Sequence, residues 1–220
     1  MTQLSEYHTR ILTTLGDPAG SRYTTNQLDE ALRSALAEYS SAFPALSTAS
    51  FTVAATGRVQ TVTFLTNFLF FTLVQWPANP DPKLNQVAAF HSAFAGGYPQ
   101  IHFFWDTPQA GDVINVAYAS SHTVLGLDNA WVTSVPPVHD SLLALGAAAH
   151  AAIARSTQIA EQMTSRVSNS VQLSSWGSDR LAEFRSGLAQ LAISKSSLIN
   201  QGGWALDRWD RPQDQPQPFF

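Results

Sequence analysis

Cysteine is absent from the 220-residue chain. That excludes a disulfide framework, a thiolate zinc site and a cysteine nucleophile. A globule of this length buries about 70% of its unfolded surface and needs no such staple. Charge is scarce as well: Asp, Glu, Lys and Arg make up 13% of the residues and the formal net charge is −4. Capture of nucleic acid depends on Lys and Arg displacing counterions from phosphates, so a broad basic, sequence-reading face is disfavoured. No apolar run is long enough to span a bilayer, and the opening MTQLSEYHTRILTTLG lacks a basic region followed by an apolar one. The expectation is a soluble protein without a signal peptide. What is plentiful is apolar: 45% of the residues are hydrophobic. With so few charges to cover them, part of that area has to face outward, as in a protein that packs against neighbours.

Signatures of chemistry are missing too. The turn GDPAG, residues 16–20, has no Lys-Ser/Thr pair behind it and follows a helical pattern rather than a strand, so it is a connector and not a phosphate cradle. No Gly-x-Ser-x-Gly elbow exists for a serine hydrolase. His139 and Asp140 stand where a third helix begins; Asp140 there complements the helix dipole, and His139 packs at a domain junction. His102 and Asp106 fall in a strand and its turn, while His91, His122 and His150 are scattered without ligand spacing, which reads as satisfied or surface histidines and no metal site. Carboxylates for glycoside cleavage would have to come from Asp106, Asp112 and Asp128. Trp76, Trp105 and Trp131 are able to stack on a sugar, but their apolar strand-like surroundings favour core or interface roles.

The chain has three textures. Leu4, Tyr7, Ile11, Leu12 and Leu15 recur at helical spacing, and after the glycine-containing turn Thr24 and Gln27 form a capping-box pattern before a second helix with Leu28, Ala31, Leu32, Ala35, Leu36 and Tyr39 on one stripe. Past Pro44 the runs SFTVAAT, RVQTVTF, FLFFTLVQW, QIHFFWD and DVINVAYAS predict strands, and the short connection TPQAG predicts that the last two pair as a hairpin. From Pro136 a third helix carries Leu142, Leu145, Ala149, Ala152, Ile153, Ser156, Ala160 and Met163 on a small-residue face that admits close approach of another helix. A fourth is predicted from about Asp179, with Leu181, Phe184, Leu188, Leu191, Leu198 and Ile199, ending at Gly202 and Gly203. The predicted class is α+β: a four-helix bundle-like domain from both chain ends (1–46 and 136–203), an inserted antiparallel β domain (47–135) and an extended C-terminal tail (204–220).

That tail, WALDRWDRPQDQPQPFF, is rich in proline and glutamine yet carries Trp204, Trp209, Phe219 and Phe220. Aromatics are unusual in a plain disordered segment, and prolines at 212, 216 and 218 oppose ladder pairing, so the tail reads as a docking segment for another chain.

Three segments in order, ILTTLGDPAGSRYTTNQLDEALRSALAEYSSAFP, PQAGDVINVAYASSHTV and TSVPPVHDSLLALGAAAHAAIAR, resemble the head-to-tail adaptor (connector) proteins of tailed bacteriophages, neck proteins that sit beneath the portal. The resemblance spans most of the chain. It implies a helical bundle with an inserted β domain and a ring, typically dodecameric, that extends the DNA channel and carries the tail. It implies no enzyme activity and no cofactor. Family C-terminal segments bind crevices of the portal, which by position assigns portal binding to Trp204, Leu206, Arg208, Trp209, Arg211, Phe219 and Phe220. The implied partners are further copies of the chain, the portal, a downstream neck or tail protein reached through the β domain, and genomic DNA passing without sequence-specific contacts; no membrane is involved. The implied location is the virion neck, after assembly in the host cytoplasm. A tail-completion or stopper protein of the same neck stays open, as do a carbohydrate-binding β-domain protein and a neck hydrolase, for which the sequence shows no acid pair.

Overall fold

The computed structural model describes residues 2–78, 86–161 and 167–203. They form four α-helices and two three-stranded antiparallel sheets, a mixed α+β fold. Helix α1 spans Leu4–Thr14 and buries Tyr7 and Ile11. The connector behind it turns on Gly16 and Gly20, whose φ angles of 66° and 64° suit a residue without Cβ. Asp17 organises the loop by accepting the backbone N–H groups of Ser21 (3.2 Å) and Arg22 (2.7 Å), which occupies the turn with its own side chain. Helix α2, Thr25–Ala42, opens on the predicted capping box: Gln27 N–H donates to Thr24 Oγ1 (3.3 Å) and Thr24 N–H to Gln27 Oε1 (2.9 Å). Its buried stripe is the predicted one, from Leu28 to Tyr39.

Helix α3, Asp140–Glu161, packs against α1, α2 and a fourth helix, α4 (Val167–Gly203). Contact with three helices buries Leu143, Ala144, Ala147, Ala148 and Ala151. The predicted stripe is therefore too narrow, and it includes Ala160, which is exposed; Met163 lies outside the described residues. Helix α4 runs over Val167–Gly203, twelve residues earlier than the start expected at Asp179. Its first part, VSNSVQLSSWGS, is rich in Ser, Asn and Gly, which locally favour turns. Packing on α3 overrides that preference. A Cβ at Gly177 would stand 2.8 Å from Ile153 Cγ1 and one at Gly187 2.7 Å from Leu142 Cδ1, so both glycines mark close approach of α3 and α4.

Strands β1 (Ala45–Thr52), β6 (Val113–Ser120) and β3 (Phe68–Gln75) form one sheet in the order β1-β6-β3. The second has the order β2-β5-β4, from Val59–Thr61, Tyr98–Phe103 and Phe90–Ala95. Between them lies a core of Val53, Val62, Phe71, Val74, Ile101, Phe103, Ile114 and Val116. The predicted pairing of QIHFFWD with DVINVAY is overturned: those runs supply β5 and β6, which belong to different sheets. The hairpin partner of β5 is β4, through the two-residue turn Gly96–Gly97 with φ of 61° and 82°. Two successive positive φ values match the twist of antiparallel strands, and the Gly-Gly signal was available in the sequence.

A separate core of Tyr7, Ile11, Leu32, Tyr39, Leu143, Ala147 and Phe184 lies among the helices. Val124, Leu127 and Val135 from the stretch between β6 and α3 join it. Leu4 N–H donates to Leu125 C=O (3.0 Å), tying that stretch to the start of α1.

Candidate functional site

The predicted portal-binding residues Trp204, Leu206, Arg208, Trp209, Arg211, Phe219 and Phe220 lie outside the described residues. The other candidates are all placed. Asp140, 2% exposed at the first turn of α3, does more than complement a dipole. Its Oδ2 accepts Thr2 Oγ1–H (2.5 Å) and its Oδ1 accepts the Tyr7 hydroxyl (2.5 Å), with the Arg10 guanidinium 3.7 Å away. Burial, and then the bond to Asp140, pushes the Tyr7 phenol far above its ordinary range. The group is a buried lock between α1 and α3. Neither Thr2 nor Tyr7 was legible as its partner, because the contact closes across more than 130 residues of chain.

His139 and His122 sit beside it in an aromatic joint. Tyr39 OH lies 2.6 Å from His139 Nδ1, and Phe43 packs edge-on to His139 and stacks with His122. His122 Nε2 donates to Phe43 C=O (2.9 Å) while Nδ1 meets Ser134 Oγ (3.0 Å), so both ring nitrogens are occupied. Burial first, then Asp140, pushes the Tyr39 phenol up to about 12. Burial also holds His139 below the usual imidazole range, against the pull of Asp140.

The same logic acts at Glu38, which accepts Arg185 Nε–H and an Nη2–H at 2.9 Å each and lies 3.2 Å from His150 Nε2. The bidentate bond from Arg185 holds Glu38 below its usual range, and burial holds His150 below its own despite Glu38. A histidine with a lowered folded value stabilises the fold above its unfolded value and loses that contribution as pH falls. His139 and His150 both have this sign. Melting midpoints are accordingly expected to fall as pH drops from about 7.5 to about 5.5, and His150→Gln to flatten the slope. A midpoint rising over that window would contradict the assignment.

Of the carboxylates considered for catalysis, Asp112 and Asp128 are engaged structurally. Asp112 accepts Trp76 Nε1–H (3.0 Å) and Gln109 N–H (2.8 Å), and Asp128 is held by three hydrogen bonds from Arg33 of 2.7–3.1 Å. Among the described residues no group of three or more His, Asp or Glu could hold a metal, and no helix is long and apolar enough to cross a membrane.

Exposed apolar side chains are the conspicuous feature. Trp105 is 81% exposed just past the end of β5, and Trp131 is 91% exposed between β6 and α3, so of the core and interface roles expected for them only the interface role stays open. Trp76 is partly buried against the sheet core. Trp131 rims a groove of about 670 Å³ lined by Leu36, Val124 and Leu127 together with Arg33, Asp128 and Asn129. Among the described residues, three non-glycine residues have positive φ, Asn67 (53°), Asp128 (51°) and Asn129 (60°), and all three line this groove. Such strain persists only where surrounding structure enforces it. Leu46, Phe70, Phe94 and Tyr98 on the sheets, Phe104 just past β5 and Val138 before α3 are exposed too.

No protein-family model and no curated protein matches the chain. Two solved necks are similar to it. One is the neck of an empty GTA particle computed with C6 symmetry, at 14% identity, covering 67% of this chain and 75% of that one with a TM-score of 0.29. The other is the neck of a native GTA particle computed with C12 symmetry, at 13% identity, covering 67% and 79% with a TM-score of 0.30.

Proposed function

We propose that the chain is a structural, non-enzymatic subunit of a phage neck: a head-to-tail adaptor that closes into a ring, in the dodecameric form the sequence resemblance implies. The observation that carries the reading is the apolar surface left outside both cores, headed by Trp105 and Trp131. A subunit in a cyclic ring buries two different faces against its neighbours, which gives such surface a use without any ligand. The polar clusters that might have served catalysis are consumed in holding the fold, as at Asp140, Asp112 and Asp128. In this reading residues 1–46 and 136–203 form the helical domain, residues 47–135 the inserted β domain facing the downstream neck protein, and residues 204–220 the segment that docks on the portal. The acidic balance keeps passing DNA from adhering. The site of action is the virion neck, reached after assembly in the host cytoplasm.

Native mass measurement of the full chain mixed with its portal is expected to show a ring-sized complex. Truncation after Gly203 is expected to abolish portal capture while the circular dichroism and melting of the body stay unchanged. Persistent monomer with no portal binding would sink the adaptor reading, and undiminished binding by the truncated chain would remove the docking role of the tail. A carbohydrate-binding reading is favoured by one observation, the exposed Trp131 beside Arg33, Asp128 and Asn129. Glycan binding lost in Trp131→Ala would establish it in place of the adaptor.

A further inference from the structure

The β4–β5 hairpin brings together two histidines that lie eleven positions apart in sequence. The Gly96–Gly97 turn sets the register so that His91 stands directly opposite His102. Directly opposed residues of an antiparallel pair hold their Cβ atoms about 5 Å apart and on one face of the sheet. Here the two imidazole centroids are 4.5 Å apart, with Phe104 at 5.4 Å from His91 on the same surface. His91 is exposed and His102 half-buried, so the pair is open to solvent ions.

The neighbouring strand orients one of the rings. Gln100 is on the same face of β5 as His102 and opposite Thr61 of β2. Its amide Nε2 donates to Thr61 Oγ1 (3.2 Å), which turns its Oε1 toward His102 Nε2 at 3.2 Å. An amide oxygen only accepts, so His102 Nε2 carries the proton and Nδ1 keeps its lone pair. A metal-bound histidine is oriented in this way, with the distal N–H given to a carbonyl oxygen.

We infer that His91 and His102 form a two-imidazole site for a first-row divalent transition metal on the outer face of the β2-β5-β4 sheet. A metal–nitrogen bond of about 2.0–2.1 Å places each ring centroid about 3.2 Å from the ion, so two rings in cis positions about 90° apart have centroids about 4.5 Å apart. That spacing suits the tetragonal preference of Cu2+ or Ni2+, and tetrahedral Zn2+ needs the pair to open to about 5.2 Å. Water completes the coordination. The inference is independent of the neck reading, since it uses only the hairpin, its register and the Gln100 bond.

Titration of the full chain with CuCl2 and ZnCl2 by calorimetry is expected to show one Cu2+ site, bound more tightly than Zn2+. His91→Gln and His102→Gln are each expected to weaken it at least about tenfold, because either change turns a chelate into a single imidazole. His8→Gln, which removes a histidine engaged with Asp29 on another part of the chain, is expected to leave binding unchanged. Pulsed electron paramagnetic resonance on the unaltered Cu2+-loaded chain is expected to count two imidazole nitrogens. Binding that survives both substitutions, or a spectrum with a single imidazole, overturns the site.

Discussion

Phe184→Ala is expected to destabilise the protein by about 3–5 kcal/mol, the usual loss for a fully buried phenylalanine. The ring is completely buried where α4 meets α3. Its partner is the bare backbone at Gly146: a Cβ there would stand 2.9 Å from three atoms of the ring. Truncation leaves a void lined by two rigid helices that cannot close on it, and for a chain of this size the melting midpoint should drop on the order of 10 °C. The fit makes a sharper demand than magnitude. Gly146→Ala should destabilise by pressing on the ring, and Gly146→Ala combined with Phe184→Ala should lose less than the sum of the two. Strict additivity in chemical denaturation would show that Gly146 and Phe184 do not share the contact. Phe94→Ala, on an exposed sheet position, should change stability by no more than about 0.5 kcal/mol.

Asp140→Ala is the second large effect, expected at about 3 kcal/mol, because it strands the Tyr7 and Thr2 hydroxyls without their acceptor. Loss of an interaction among three partners should be strongly coupled. Tyr7→Phe should cost less in the Asp140→Ala background than in the parent, and Asp140→Asn, which retains one oxygen acceptor, should fall between. Equal costs for Tyr7→Phe in both backgrounds, measured by denaturant unfolding, would refute the lock.

Much of the helical part is legible in the sequence because local signals and tertiary packing agree there. Thr24 and Gln27 cap α2 as their spacing predicts, and the alanines and Gly146 of α3 receive a close helix as their size predicts. Legibility fails where a distant partner decides. The first turns of α4 are held by α3 against their own turn-forming composition, and Ser170 is buried within them. The pairing of β5 was misread because the connection 104–112 resembles a hairpin loop, whereas the tighter Gly96–Gly97 turn governs the register. That one error also hid the His91–His102 pair, since histidines eleven positions apart become neighbours only once the turn is located. For Trp105 and Trp131 the sequence left core and interface roles open, and exposure removes the core role: apolar neighbours in sequence do not bury Trp105 past the last residue of β5 or Trp131 in the stretch between β6 and α3.

The helical and sheet cores share no residue. The chain passes from one to the other at Pro44 and returns near Ser121, and the Phe43–His122 stack lies at that crossing. Cooperativity follows shared burial, so two cores with separate memberships are expected to open as two units coupled in part through the Phe43–His122 stack. Amide exchange should accordingly resolve two protection levels, and Phe43→Ala, which removes the joint's ring and its packing on the helical core, should change the interval between them.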